Sequence, residues 1–413
     1  MNLLLRVIVL CALAHISIAQ ESVWSVLIYM EPMQDLHDAA WRNLNDLARC
    51  TQLNDQVDIR VQLHSYDNIA WRYRIKQGIF IQDSCVELTN NYVHDITDAA
   101  QWAYAGSSTY HALIFWGHGH GILTPTYNPE TKKWEVEDDD AFQACELCES
   151  LPVPLLQEEH SKAILLNETT QKCLDNHQMI AVLENITDIL GGRHLDLVGM
   201  DVCLGASLEH AYQIAPYTNY LVACQNCELS DGFEYHGLAC ALATLNSPTE
   251  LTKEMLTDYG TYYESRAELG NYTLSVINCK KAYAVREQLD RVCLMLLDII
   301  EHDPEMVSIL GKIRSNSVNF CFVPVYTDLW QVFNLLKQEL ENQAIYPELV
   351  EEITQAHLAI KDAVLGNTTG HNMKQVHGMS IYFPYSHIDS SYPMTLFAQT
   401  SYWLSLLQQL CRN

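Results

Sequence analysis

Two stretches decide the fold: YHALIFWGHGHG (residues 110–121) and HLDLVGMDVCLGASLEHAYQI (residues 194–214). Each opens on a run of strand length and then breaks, at Gly117 to Gly121 in the first and at Asp201 to Gly205 in the second. Near-continuous apolar runs of this length belong to strands buried on both faces, as in a parallel sheet between helices. Working outward, SVLIYM (25–30) reads as another buried strand and VDIRVQL (57–63) as an alternating one. Apolar residues recur at helical spacing over 36–48, 96–105, 180–190 and 207–214. Strand alternating with helix predicts an α/β layer with a mainly parallel sheet, whose functional groups gather at the carboxyl ends of the strands.

The segment 124–172 lacks either period and holds Lys132, Lys133, the acidic run 135–140 and a proline stretch, which predicts an inserted surface loop open to proteolysis. Beyond residue 250 the pattern resumes: a strand at 274–279, helices at 282–300, 328–340 and 349–364, and a closing strand, GMSIYF (378–383). A length of 413 residues allows more than one packed unit, and the division expected is 20–250 followed by an α/β region, 251–413, packed on it.

A formal charge of −27 repels phosphate backbones, which argues against nucleic acid as a partner and favours cationic ones. Residues 1–19 carry one basic residue, Arg6, then an apolar run and small residues at 17 and 19, the pattern of a secretory signal cleaved after Ala19. No later segment reads as a membrane span. Export leads to the extracellular space or a lysosome-like vesicle. Loss of Cys11 with the signal leaves 13 of 14 cysteines, an odd number: six possible disulfides and one thiol over. Sequons at Asn167, Asn185, Asn271 and Asn367 fit the same route. The C-x-x-C pairs Cys145/Cys148 and Cys224/Cys227 are too far apart for a zinc ribbon, and an oxidising compartment favours disulfides, so no metal or other cofactor is expected.

Parallel neighbours among these strands would bring His118 and Cys203 to one sheet edge. A thiol there, followed by a helix whose positive end favours thiolate, together with an imidazole for the proton, makes a cysteine-nucleophile dyad. Gly119 permits close backbone approach, so its N–H and that of Cys203 are candidates to hold a developing oxyanion. Loop histidines are also commonly solvated or metal-bound, and an exported cysteine is commonly half of a disulfide.

The blocks HALIFWGHGHG, HLDLVGMDVCLGASLEHAYQIAPY and HGMSIYFP resemble those of the clostripain-like cysteine peptidases, in the clan that holds caspases, legumains, gingipains and separase. The resemblance extends over most of residues 23–407 and implies a caspase-like sheet flanked by helices. Residue by residue it implies Cys203 as nucleophile and His118 as base and acid, with His120 the alternative. It also implies Asp201 in the pocket for the side chain preceding the cleaved bond, with Asp231, or Glu228, as a second acidic wall. Cleavage of peptides after Arg or Lys follows, as does self-cleavage at Lys132 or Lys133. Cys224 and Cys227 stand where relatives usually carry serine and acidic residues. Two alternatives stand beside this reading: a legumain-like enzyme cutting after Asn, and a secreted binding glycoprotein without catalysis.

Overall fold

The computed structural model of the protein describes residues 22–32, 34–65, 68–76, 78–124, 126–128, 133–135, 164–167, 172–266, 269–321 and 324–411. Residues 1–19, Lys132, Cys145 and Cys148 lie outside them.

Nine strands form one sheet. They are β1 (Ser22–Glu31), β2 (Val57–His64), β3 (Ile69–Lys76), β4 (Ile79–Glu87), β5 (Ser108–Gly117), β10 (Leu195–Asp201), β11 (Thr218–Ala223), β12 (Thr273–Asn278) and β14 (Val364–Thr369). Four short strands, β6 (Thr126–Asn128), β7 (Lys133–Glu135), β8 (Leu166–Asn167) and β9 (Lys172–Cys173), form two-stranded ladders of their own, β6 with β7 and β8 with β9. Two more, β13 (Tyr326–Asp328) and β15 (Ser380–Tyr382), pair with each other. The main order is β14-β12-β11-β10-β5-β1-β2-β3-β4, a mostly parallel centre with antiparallel strands at both edges.

The central strands are apolar on both faces because helices cover both. Trp24, Val26, Ile28 and Met30 of β1 pack under α1 (His37–Ala48), α5 (Tyr235–Thr244) and α6 (Pro248–Glu264). Leu27 and Tyr29 face the other layer, which includes α2 (Tyr92–Ala103), α3 (Asn176–Ile189), α4 (Leu208–Ile214) and α7 (Cys279–His302). Each such fully buried aliphatic side chain contributes about 1.5–3 kcal/mol. Edge strand β4 is largely exposed and carries Asp83 and Glu87, charges that discourage further pairing.

One expectation changes. The closing strand of the run 378–383 is β15, in the small ladder beside α4 and outside the main sheet, and Ser380 bridges Ser207 there. The edge belongs to β14, VLGNTT, a polar and half-exposed strand, whereas the sequence predicts a helix through residue 364; the helix Pro347–Ala363 ends one residue earlier. The run 378–383 is apolar because Met379, Ile381, Tyr382 and Phe383 are all buried in the core. Ser380 donates to Ala206 O through both its backbone N–H (2.8 Å) and its hydroxyl (3.1 Å), and Tyr382 N–H donates to the buried Glu209 of α4 (2.9 Å).

Candidate active site

Strand register sets the site. β5 lies between β1 and β10, and Trp116 sits opposite Asp201 while Gly117 sits opposite Glu31. His118 and Cys203 are therefore each two residues beyond a matched pair, at adjacent ends of parallel strands. The loops there are tightly apposed: a Cβ on Gly119 would lie 2.7 Å from Cys203 O and 2.7 Å from the Val202 side chain, so only glycine fits. Leu204 turns the chain through a left-handed conformation (φ 61°) immediately after Cys203.

His118 Nε2 lies 2.9 Å from Asp35 Oδ2, both side chains 19% exposed. Asp35 belongs to the short 3-10 turn Gln34–Leu36 that follows β1, and the sequence reading did not single it out. Its only sequence signal is an acid a few residues beyond the end of a central strand. His120 is more deeply buried, at 3% exposure, and its carbonyl accepts from the Tyr326 hydroxyl (3.0 Å).

Cys203 is partly buried, and its sulfur accepts from Glu228 N–H at 3.3 Å. The donor differs from the helix end expected, because α4 begins only at Leu208 and its first-turn His210 N–H is capped by Ser207 Oγ. The stretch CELSDGF, following β11, thus supplies the contact on the sulfur.

Asp201 is 2% exposed, and its Oδ2 accepts from Tyr235 OH (2.7 Å) and Phe233 N–H (3.2 Å). Burial pushes its carboxyl up to about 7 against those two bonds. Glu228 is raised well above the usual carboxylate range by burial and then by the charge of Asp201, and its Oε1 accepts from Tyr259 OH (2.7 Å). Among the described residues, Asp201 Oδ1 and Glu228 Oε2 are buried without a hydrogen-bond partner. Gly232 makes room for this carboxylate, since a Cβ there would lie 2.5 Å from Asp201 Oδ2. Asp231 is engaged differently: it pairs with Arg42 (3.2 Å) and Arg266 (3.1 Å) and accepts from Tyr262 OH (2.9 Å).

Lys133 opens β7, where it pairs with Asn128 across the β6–β7 ladder, so part of the segment read as irregular is extended and paired. Of the sequon residues, Asn167 ends β8. The amide nitrogens of Asn185 and Asn367 donate to Thr97 Oγ1 (3.1 Å) and Val376 O (3.0 Å), and Asn271 Oδ1 accepts from Asn372 (2.9 Å). Cys227 forms a disulfide with Cys321, Cα–Cα 5.1 Å, while Cys224 is a buried thiol that donates to Val202 O. Of the six possible disulfides, one is present among the described residues, and Cys279 and Cys293 are buried thiols on α7, packed in the apolar core. Among the described residues no helix is long and apolar enough to cross a membrane.

A layered sheet of this topology, with a cysteine and a histidine at adjacent strand ends, defines the caspase-like class of cysteine peptidases. The clostripain family profile matches residues 155–408, and the chain belongs to that family. A search of curated proteins finds no match. Solved structures share the fold. A secreted C11 cysteine protease from Bacteroides thetaiotaomicron, in complex with an irreversible peptide inhibitor, aligns with TM-score 0.60 and 16% identity over 94% of this chain and 99% of that one. An inactive zymogen C11 protease from Parabacteroides distasonis gives 0.60 and 15% over 94% and 98%. A secreted C11 cysteine protease from Bacteroides thetaiotaomicron, iotapain, gives 0.62 and 14% over 92% and 99%. The chain is thus a hydrolase of the cysteine peptidase class, and the non-catalytic reading gives way.

Proposed function

We propose that the protein is an exported endopeptidase in which Cys203 and His118 form the catalytic dyad and Asp201 with Glu228 select Arg or Lys before the scissile bond. The observation that carries this reading is the register: Trp116 opposite Asp201 makes His118 and Cys203 neighbours. His118 takes the thiol proton, and Cys203 Sγ attacks the peptide carbonyl carbon. The N–H groups of Gly119 and Cys203 hold the oxyanion. As the C–N bond breaks, the leaving amine takes the proton from His118, and water then hydrolyses the thioester with His118 as base. Asp35, on Nε2, leaves Nδ1 for this proton traffic. No step requires a cofactor.

The basic preference draws on the two unfilled oxygens of a buried acid pair, which suit a guanidinium or ammonium. Asp231, already matched by two arginines, takes a supporting place behind that pair. The segment 20–250 carries the chemistry, and 251–413 completes the sheet. Removal of residues 1–19 and secretion fit the secreted Bacteroides relatives. A cut at Lys132 or Lys133 fits the extended strand at Lys133, the backbone form a peptidase cleft accepts. A second reading, cleavage after Asn, rests on the same carboxyl: below a pKa of about 7, Asp201 presents an O–H instead of a charge.

The test is a fluorogenic panel with Arg, Lys, Asn and Asp before the scissile bond, run on the purified mature protein at pH values on both sides of 7. Turnover confined to Arg and Lys supports the proposal, and turnover of Asn alone replaces the specificity.

A further inference from the structure

Beside the dyad lies a feature that peptide hydrolysis does not use. The sulfurs of Cys203, Cys227 and Cys321 all lie within 4.8 Å of one another, and two of them are already joined. The nucleophile therefore faces a disulfide at exchange range. Its backbone is tied to one end of it: Leu204 N–H donates to Asn226 O (3.0 Å), and Glu228 N–H donates to Cys203 Sγ (3.3 Å), so residues 203–204 run alongside 226–228. That N–H also favours the thiolate, the attacking form. Cys321, at the other end, sits on a separate segment and holds a left-handed backbone (φ 52°), a conformation that costs energy for any residue with a Cβ. Its N–H is held by Asn226 Oδ1 (2.7 Å), which keeps it over the site.

We propose that Cys203 is a reversible covalent modification site, captured by thiol–disulfide exchange with its own neighbouring disulfide. The Cys203 thiolate attacks Cys227 Sγ. The Cys203–Cys227 bond forms, the Cys227–Cys321 bond breaks, and the electron pair leaves on Cys321, which takes a proton from solvent. Nothing is oxidised or reduced overall, so the step runs in an oxidising compartment without a co-reactant. The left-handed backbone at Cys321 is free to relax on release, which favours the captured form. A small dithiol, itself oxidised to a cyclic disulfide, opens the link and returns Cys203 as a thiol. The active site thus carries its own lock, and reducing surroundings open it. This rests on Cys203 being the nucleophile, as proposed above.

The test uses the full mature chain purified without reductant, alkylated at once and digested for non-reduced mass mapping. A Cys203–Cys227 linked peptide together with alkylated Cys321 is the expected result. Dithiothreitol should raise activity roughly fivefold or more, and the Cys227→Ser/Cys321→Ser variant should be active without it, because exchange then has no partner. Only Cys227–Cys321 linkage, with wild-type activity indifferent to dithiothreitol, overturns the proposal. The map requires no variant, so a misfolded double variant does not blunt it. Peptidase activity retained by Cys203→Ala would instead overturn the nucleophile assignment, an outcome the linkage map reports separately.

Discussion

Replacing Asp201 by Asn tests the proposed selectivity pocket with little change in shape. The amide keeps an oxygen for Tyr235 OH and Phe233 N–H, so the loop carrying Gly232 to Tyr235 stays anchored while the charge disappears. Loss of one side of a desolvated charge pair costs about 2–5 kcal/mol, and at about 1.4 kcal/mol per decade the lower figure is roughly 30-fold in kcat/KM for Arg and Lys substrates. The assay compares peptides with Arg and with uncharged citrulline at the selected position, alongside the rate of Cys203 alkylation by iodoacetamide. Arg should lose its advantage, and alkylation should be unchanged. With the carboxyl raised to about 7 by burial, the free wild-type enzyme is protonated below that pH. Its kcat/KM for Arg therefore climbs as pH passes 7, and the Asn variant lacks this limb. Stability moves the other way. A carboxyl whose folded pKa lies above its unfolded value of about 3.9 stabilises the fold fully below that value and ceases to do so as pH rises through 7. The melting temperature of wild type relative to Asp201→Asn should accordingly fall between about pH 4 and 7. Wild-type cleavage of Arg and Lys by the variant would refute the reasoning and move the selecting acid elsewhere.

Cys203→Ala and His118→Ala should each abolish hydrolysis of the best panel substrate, whereas His120→Ala, at a buried position, should chiefly lower stability, by about 1–3 kcal/mol in denaturant unfolding; an active His118→Ala protein beside a dead His120→Ala one would reverse the assignment. Asp35→Asn should lower kcat roughly 10- to 100-fold with KM nearly unchanged, since it acts through the imidazole and not on substrate; an unaltered kcat would show the contact to be incidental. Amino-terminal sequencing of wild type and Cys203→Ala should give a fragment starting at Lys133 or Trp134 in the first only, and a fully active uncut wild-type chain would dismiss self-cleavage.

The central strands and most of the helices were legible because their apolar spacing reflects burial on two faces, and the glycine-rich break after Trp116 marked where β5 stops. What escaped notice shares a physical cause. The β3–β4 hairpin and β14 stand at the edges, where exposed or half-exposed residues such as Arg74, Gln82 and Asn367 dilute any period. Asp35 escaped because a single acid in a three-residue turn carries no pattern, and its meaning arises only when β1 and β5 align. The disulfide partner of Cys227 is 94 residues away, a distance that spacing arguments cannot bridge. Asp231 looked as open as Glu228 in the same stretch, yet distant Arg42 and Arg266 engage it.

The clamp that Ser380 places on Ala206 has a consequence in time. The turn behind Cys203 is fastened by residues that leave the ribosome last, 380 coming 177 positions after 203. At roughly 5–20 residues per second, that is an interval of about 9–35 s during which Cys203 has been made but its support has not. A fold assembled this way completes the turn behind Cys203 only when synthesis is nearly finished.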